Sequence, residues 1–206
     1  MSERPAPLVL VVEPTTGGPG EAFGSYASVV ATGRSLLAAE MSHRLGAAGA
    51  AVAPLAQHPA VAGSAFHWGA WFAPAARAGL EDARRSGRAL DAIGYAGPGA
   101  LALAGDALLE ELISPVPGEV VANNRFSADA FVVAGDLETA IDALAECPAD
   151  NAAVRRLEDA GRSSRDLSTR PWSRFDVDTP LDLALLRLAT RLPGMRPLEQ
   201  RVAGFL

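Results

Sequence analysis

Leu8-Val9-Leu10-Val11-Val12 is an unbroken run of leucine and valine. It lies between the polar, proline-rich Met1–Pro7 and the breaker-rich Glu13-Pro14-Thr15-Thr16-Gly17-Gly18-Pro19-Gly20-Glu21. A strand with one wet face would alternate apolar and polar residues. A strand apolar at every position is covered on both faces, as in a parallel sheet between helix layers. The chain beyond supplies partners for it. A helix is expected from about Ser35 to Leu45 on the spacing of Leu37, Met41 and Leu45, stopped by Gly46 and Gly49, with a second strand over Ala50–Leu55. Pro74 suits the first turn of a helix running to about Ser86, with Arg84, Arg85 and Arg88 near its C-terminal end. A third strand, Leu90–Tyr95, ends in Ala96-Gly97-Pro98-Gly99, after which Asp106 is placed to cap a helix over Ala107–Ile113.

The second half continues the alternation. Glu119–Ala122 and Ala130–Val133 read as strands. Asp136 is placed to cap a helix through Ala145, striped by Leu137, Ile141 and Leu144. A helix over Asn151–Ala160 stops at Gly161, a short strand covers Phe175–Asp178, and a last helix runs from Pro180 to about Arg191. Strands alternating with helices of this length predict a three-layer α/β/α sandwich with a mainly parallel sheet. One domain over 1–206 is expected, with 1–7 and 193–206 peripheral.

Composition narrows the function. The 206 residues are 49% apolar and carry a net charge of −6, which disfavours nucleic acid as a partner because phosphate neutralisation needs a basic face. All 18 residues of the Lys+Arg total are arginine. Cys147 is the one cysteine, so no internal disulfide forms. The first apolar run is too short for a signal-peptide core, and no stretch approaches the ~20 apolar residues of a membrane span. A cytoplasmic protein with a small-molecule ligand is expected. Phe66–Phe72 and Arg77–Arg88 are candidate homodimer contacts.

Phe175-Asp176-Val177-Asp178-Thr179-Pro180-Leu181-Asp182-Leu183 is the most specific motif. Thr179 as N-cap, Pro180 as first helical residue and Asp182 two positions later make a variant capping box. Asp176 and Asp178 offer carboxylate oxygens of the kind hard cations prefer. The motif resembles the closing D-I-D-T-P-E-D-L signature of nucleotidyltransferases of the molybdenum-cofactor guanylyltransferase and phospholactate guanylyltransferase type. Val154-Arg155-Arg156-Leu157-Glu158 with Gly161 is similar to the helix preceding that signature. Gly33-Arg34-Ser35-Leu36-Leu37-Ala38, Arg44-Leu45 and Ala47-Ala48-Gly49-Ala50 are similar to the family's G-R-P-L-L-E…R-L…A-A-G-A helix.

The resemblance implies a Rossmann-like nucleotide-diphospho-sugar transferase fold. It also implies NTP-dependent transfer of a nucleoside monophosphate, with Mg²⁺, to a small phosphorylated acceptor. Two positions depart from the family pattern. Its first loop carries arginine and lysine among glycines, whereas here Gly17 and Gly18 stand between Glu13 and Glu21, with no basic residue between Arg4 and Arg34. Its third strand ends in a metal-binding aspartate, whereas here Gly97 and Gly99 occupy the turn. These four glycines admit close approach of a ligand to backbone, and serve equally as plain turn residues. Asn123, Asn124, Arg125 and Ser127 are candidate substrate-binding residues, their alternative being a polar turn. Asp129, Asp176 and Asp178 are the candidate metal ligands, Asp129 and Asp178 the candidate catalytic carboxylates, and Arg125 or Arg174 the candidate phosphate contacts. A catalytically inactive relative that binds a small metabolite or a protein partner is the competing reading. His43, His58 and His67 lack metal-ligand spacing and read as structural.

Overall fold

The computed structural model describes residues 5–14, 26–56, 66–189 and 191. Leu8–Glu13 forms β1, and its alternation divides the molecule. Leu8, Leu10 and Val12 point into one apolar layer, and Val9 and Val11 into the other. β1 is paired on both sides, in parallel with β2 (Ala51–Ala56) and β3 (Ala92–Ala96). With β4 (Glu119–Ala122), β5 (Ala130–Ala134) and β6 (Ser163–Asp166) it completes a sheet of order β2-β1-β3-β5-β4-β6. β5 runs antiparallel to both its neighbours, β3 and β4, while β6 is parallel to β4. The other five strands therefore share one direction and β5 opposes them.

The first layer is built on α2 (Trp68–Arg85), α4 (Leu137–Ala145) and α5 (Ala153–Asp159), around Trp68, Phe72, Ile141, Leu144 and Leu157. Trp68 stacks on Phe72 at 4.6 Å and meets Tyr95 edge-on at 5.2 Å. Trp68 and Phe72 are thus core residues, and the part of the expected dimer patch that they would supply lies inside. The second layer is built on α1 (Ala27–Ala47) and α3 (Asp106–Leu112), through Met41, Leu45, Leu109 and Leu112. α6 (Pro180–Ala189) joins α1 through Val30, Leu37, Leu183 and Leu186. No helix among the described residues is long and apolar enough to cross a membrane.

Several expectations need correction. α1 begins at Ala27 rather than near Ser35. α2 begins at Trp68, with the His67 ring nitrogen accepting the Ala70 N–H at 3.2 Å, so Pro74 lies inside the helix rather than in its first turn. Asp106 opens α3 without capping it, and its carboxylate instead holds the buried Arg44 at 3.0 Å. Phe175–Asp178 is not a strand. The last strand is β6, a polar edge segment that shows no apolar alternation. Asp136 does cap α4, accepting the Thr139 N–H at 3.3 Å. Cys147 is buried, which pushes its thiol up to about 11.

Candidate active site

Open parallel sheets bind ligands beyond the carboxyl ends of their strands. Because β5 is reversed, its start joins that edge, and Asp129 arrives beside the end of β3. The Gly97 N–H donates to the Asp129 carbonyl at 2.7 Å. Two residues on, the Gly99 carbonyl accepts the Val177 N–H at 3.1 Å. A Cβ at Gly99 would lie 2.8 Å from the Val177 nitrogen and nearer still to its carbonyl oxygen. Gly99 is therefore required for the 175–178 segment to lie directly on the turn. Val177 is fully buried, which anchors Asp176 and Asp178 on either side of it. The capping box completes the hold on this segment. The Asp182 carboxylate accepts the Thr179 N–H at 2.7 Å and the Asp178 N–H at 3.2 Å.

Asn123 is the bracket on the opposite wall. It is 1% exposed. Its amide oxygen accepts the Ala130 N–H at 3.0 Å, and its NH₂ donates to the Ser173 carbonyl at 3.2 Å, with Asp129 at 3.5 Å. One side chain thus ties the end of β4 to the start of β5 and to the turn before Asp176.

The carboxylates gathered here sense one another. Burial first, then Asp150 and Asp178, push Asp129 up to about 6, against the opposing Asn123 amide. Burial, then Asp178 and Asp129, push Asp176 up to about 7, and its protonated carboxyl hydrogen-bonds Asp178. Burial also raises Asp150, which accepts a hydrogen bond from the Tyr95 hydroxyl. Tyr95 in turn is raised by burial and by Asp150. Among the described residues, no three His, Cys, Asp or Glu side chains converge on one point as a metal cage. Mg²⁺ rarely needs a cage, because it keeps several waters and takes one or two carboxylates together with substrate phosphates. The Asp176–Asp178 pair fits that donor set.

Among the described residues, a cation meets the cluster at Asp178. Arg34 reaches from α1 to Asp178 at 3.5 Å and lies near enough to Tyr95 to act on its titration.

A solved structure from Desulfovibrio desulfuricans G20, provisionally described as a nucleotide-diphospho-sugar transferase, matches 97% of this chain and 95% of its own. The TM-score is 0.63 at 14% sequence identity. The fold is that of a nucleotide-diphospho-sugar transferase. No protein-family profile matches the chain, and no curated protein matches it. Asp129, Asp176 and Asp178 lie at the sheet edge where open parallel sheets generally take their ligands.

The structure brings those three together, with Gly97 and Gly99 beneath them, and turns other candidates elsewhere. Arg125 is bound to Glu158 at 2.8 Å and stacks over the exposed Phe126 ring. The Asn124 amide oxygen accepts the Phe126 N–H at 3.1 Å, and the Ser127 hydroxyl donates to Asn151 at 3.1 Å. Asn123 is a structural bracket rather than a free ligand. Arg174 is exposed. Gly17 and Gly18 lie outside the described residues. Arg34, Tyr95 and Asp150 are additions: Arg34 stands in the G-R-P-L-L-E-like helix segment without a site role expected for it, and the three come from different parts of the chain.

Proposed function

We propose that the protein is a nucleotidyltransferase that moves a nucleoside monophosphate from an NTP to a small phosphorylated acceptor. The observation that carries this reading is the carboxylate pair Asp176–Asp178, anchored by Val177 opposite Asp129 on the ligand edge of this fold. An oxygen of the acceptor phosphate attacks the α-phosphorus, the bond from that phosphorus to the bridging oxygen breaks, and pyrophosphate leaves. Asp176 and Asp178 would hold Mg²⁺, which supplies neutralisation of the triphosphate charge. Asp129, pushed up to about 6 by burial, would take the proton from the acceptor phosphate.

The competing reading is a relative without catalysis that binds a metabolite or a partner. It is favoured by the lysine-free chain and by the turn at Gly97–Gly99, which serves packing and carries no carboxylate. Thermal unfolding with GTP, CTP, ATP and UTP, with and without Mg²⁺, separates the two. A hundredfold excess over Kd stabilises the folded state by about 2.7 kcal/mol, or roughly 5–10 °C in a chain of this size. A Mg²⁺-dependent shift with one nucleotide, and pyrophosphate release lost in Asp178→Ala, is the expected result. No shift with any of the four removes the transferase reading.

A further inference from the structure

Among the described residues, the other arginines shielded from water hold strong acceptors at their terminal nitrogens, and Arg34 does not. Arg44, 5% exposed, meets the Asp106 carboxylate through Nε and a terminal nitrogen, and the Ala104 carbonyl as well. Arg162 donates to the carbonyls of Ala134 and Asp136. Arg165, 34% exposed, leaves its buried Nε–H without an acceptor, but its terminal nitrogen reaches the Ser114 carbonyl and Glu119 at 2.9 and 3.0 Å. Arg34 is only 24% exposed, yet its one partner among the described residues is Asp178 at 3.5 Å, too long for a charge-assisted hydrogen bond. Its Nε–H is buried and has no acceptor. A guanidinium carries five donors in a planar fork, and leaving them unpaired in a half-buried site is costly.

Position gives this deficit a direction. Arg34 reaches from α1 to Asp178, one member of the carboxylate cluster, and it acts on Tyr95 at the end of β3. The chain has no lysine to place there, and Arg125 is already committed to Glu158. We propose that Arg34 is the residue that grips the phosphate oxyanion of the ligand, its fork parked loosely on Asp178 until that oxyanion arrives. The inference rests on the transferase reading for the identity of the ligand, but not for the presence of an anion site. A phosphate offers two oxygens at the spacing of the guanidinium fork, which an ammonium cannot match in the same way.

The test is calorimetric binding of inorganic tripolyphosphate, and of the four NTPs with Mg²⁺, to the whole chain and to Arg34→Ala, Arg34→Lys and Arg174→Ala. Melting curves report whether each variant is folded. Arg34→Ala is expected to weaken binding of tripolyphosphate and of the preferred NTP at least tenfold. Arg34→Lys keeps the charge without the fork and should fall between, which also secures the result if the alanine variant does not fold. Arg174→Ala should stay within twofold. Unchanged affinity in both Arg34 variants, or a larger loss in Arg174→Ala, overturns the proposal. Tripolyphosphate held through Arg34 with no NTP bound would keep this inference and remove the transferase reading. An NTP bound equally well by the Arg34 variants would do the reverse, and a chain that binds neither removes both.

Discussion

Replacing Asp129 by asparagine should make the protein more stable at alkaline pH and flatten its pH dependence. In the unfolded chain this carboxyl titrates near its ordinary 3.8, whereas in the fold burial and the charges of Asp150 and Asp178 push it up to about 6. Between those values the folded state binds more proton than the unfolded one. Stability therefore falls as pH rises through the window and levels off above it. Each pKa unit is worth about 1.36 kcal/mol, so the full difference approaches about 3 kcal/mol. The carboxyl keeps some contact with water, and about 1–2 kcal/mol is the reasonable share after screening. Asparagine retains an oxygen toward the Asn123 amide, 3.5 Å away in the parent, and removes the charge. Urea unfolding of both proteins at unit steps from pH 4 to pH 8, with unchanged m, reads the difference directly. The variant should gain that 1–2 kcal/mol at pH 8 and little at pH 4. Asp176, itself raised partly by Asp129, should then titrate lower than about 7. Parallel pH profiles, or a variant less stable at pH 8, would refute the reasoning.

Further outcomes follow from the same geometry. Gly99→Ala must displace the Val177 backbone and should cost about 2 kcal/mol or more, seen as a lower Tm. Gly97→Ala meets its nearest neighbour, the Asp129 carbonyl, at 3.3 Å and should cost clearly less in the same assay. Asn123→Ala strands the buried Ala130 N–H and the Ser173 carbonyl, and should lose about 2–4 kcal/mol in urea unfolding at an unfilled group's usual 1–3 kcal/mol. Asp182→Ala breaks the capping box and should cost about 1 kcal/mol, with Mg²⁺ affinity falling as Asp178 loses its tether. Mg²⁺ binding, measured by calorimetry, should tighten as pH rises from 6 to 8, because the Asp176 proton must leave before the metal is held.

Elements whose stability comes from their own pattern were legible in the sequence. β1 announced its two covered faces, β4 and β5 were bracketed by their apolar runs, and Asp136 and Thr179-Pro180 marked helix starts through capping chemistry. Elements held by tertiary contact were not. The first turns of α1 contain Val29, Val30, Thr32 and Gly33, poor helix formers kept helical while Val30 packs against α6. The first turn of α2 holds Gly69, where a Cβ would strike the Leu144 carbonyl, and Trp68 and Gly69 donate their N–H groups to the Pro148 and Cys147 carbonyls. No periodicity encodes those partners. Conversely, Asp176-Val177-Asp178 alternates like a strand, but its Val177 N–H bonds across to Gly99 rather than along a sheet ladder.

The site divides along the same line. Asp176 and Asp178 could be placed from their own motif, whereas Asp129 reaches them only because β5 is reversed, a fact of topology. Arg34 stands in a quoted helix motif, but its place in the site could not be read there, since its partner Asp178 lies far along the chain. What the assembled site shows is a charge arrangement that folding opposes. Asp129, Asp150 and Asp176 are raised first by desolvation and further by their acidic neighbours, and an ionised carboxylate whose folded pKa is raised destabilises the fold. Asn123, Gly99 and the capping box are all occupied in holding these groups where they repel. Hydrophobic or neutral residues at the same places would relieve that cost. A bound dication and an arginine that grips phosphate would relieve it as well, and those are the two charges the proposed reaction requires.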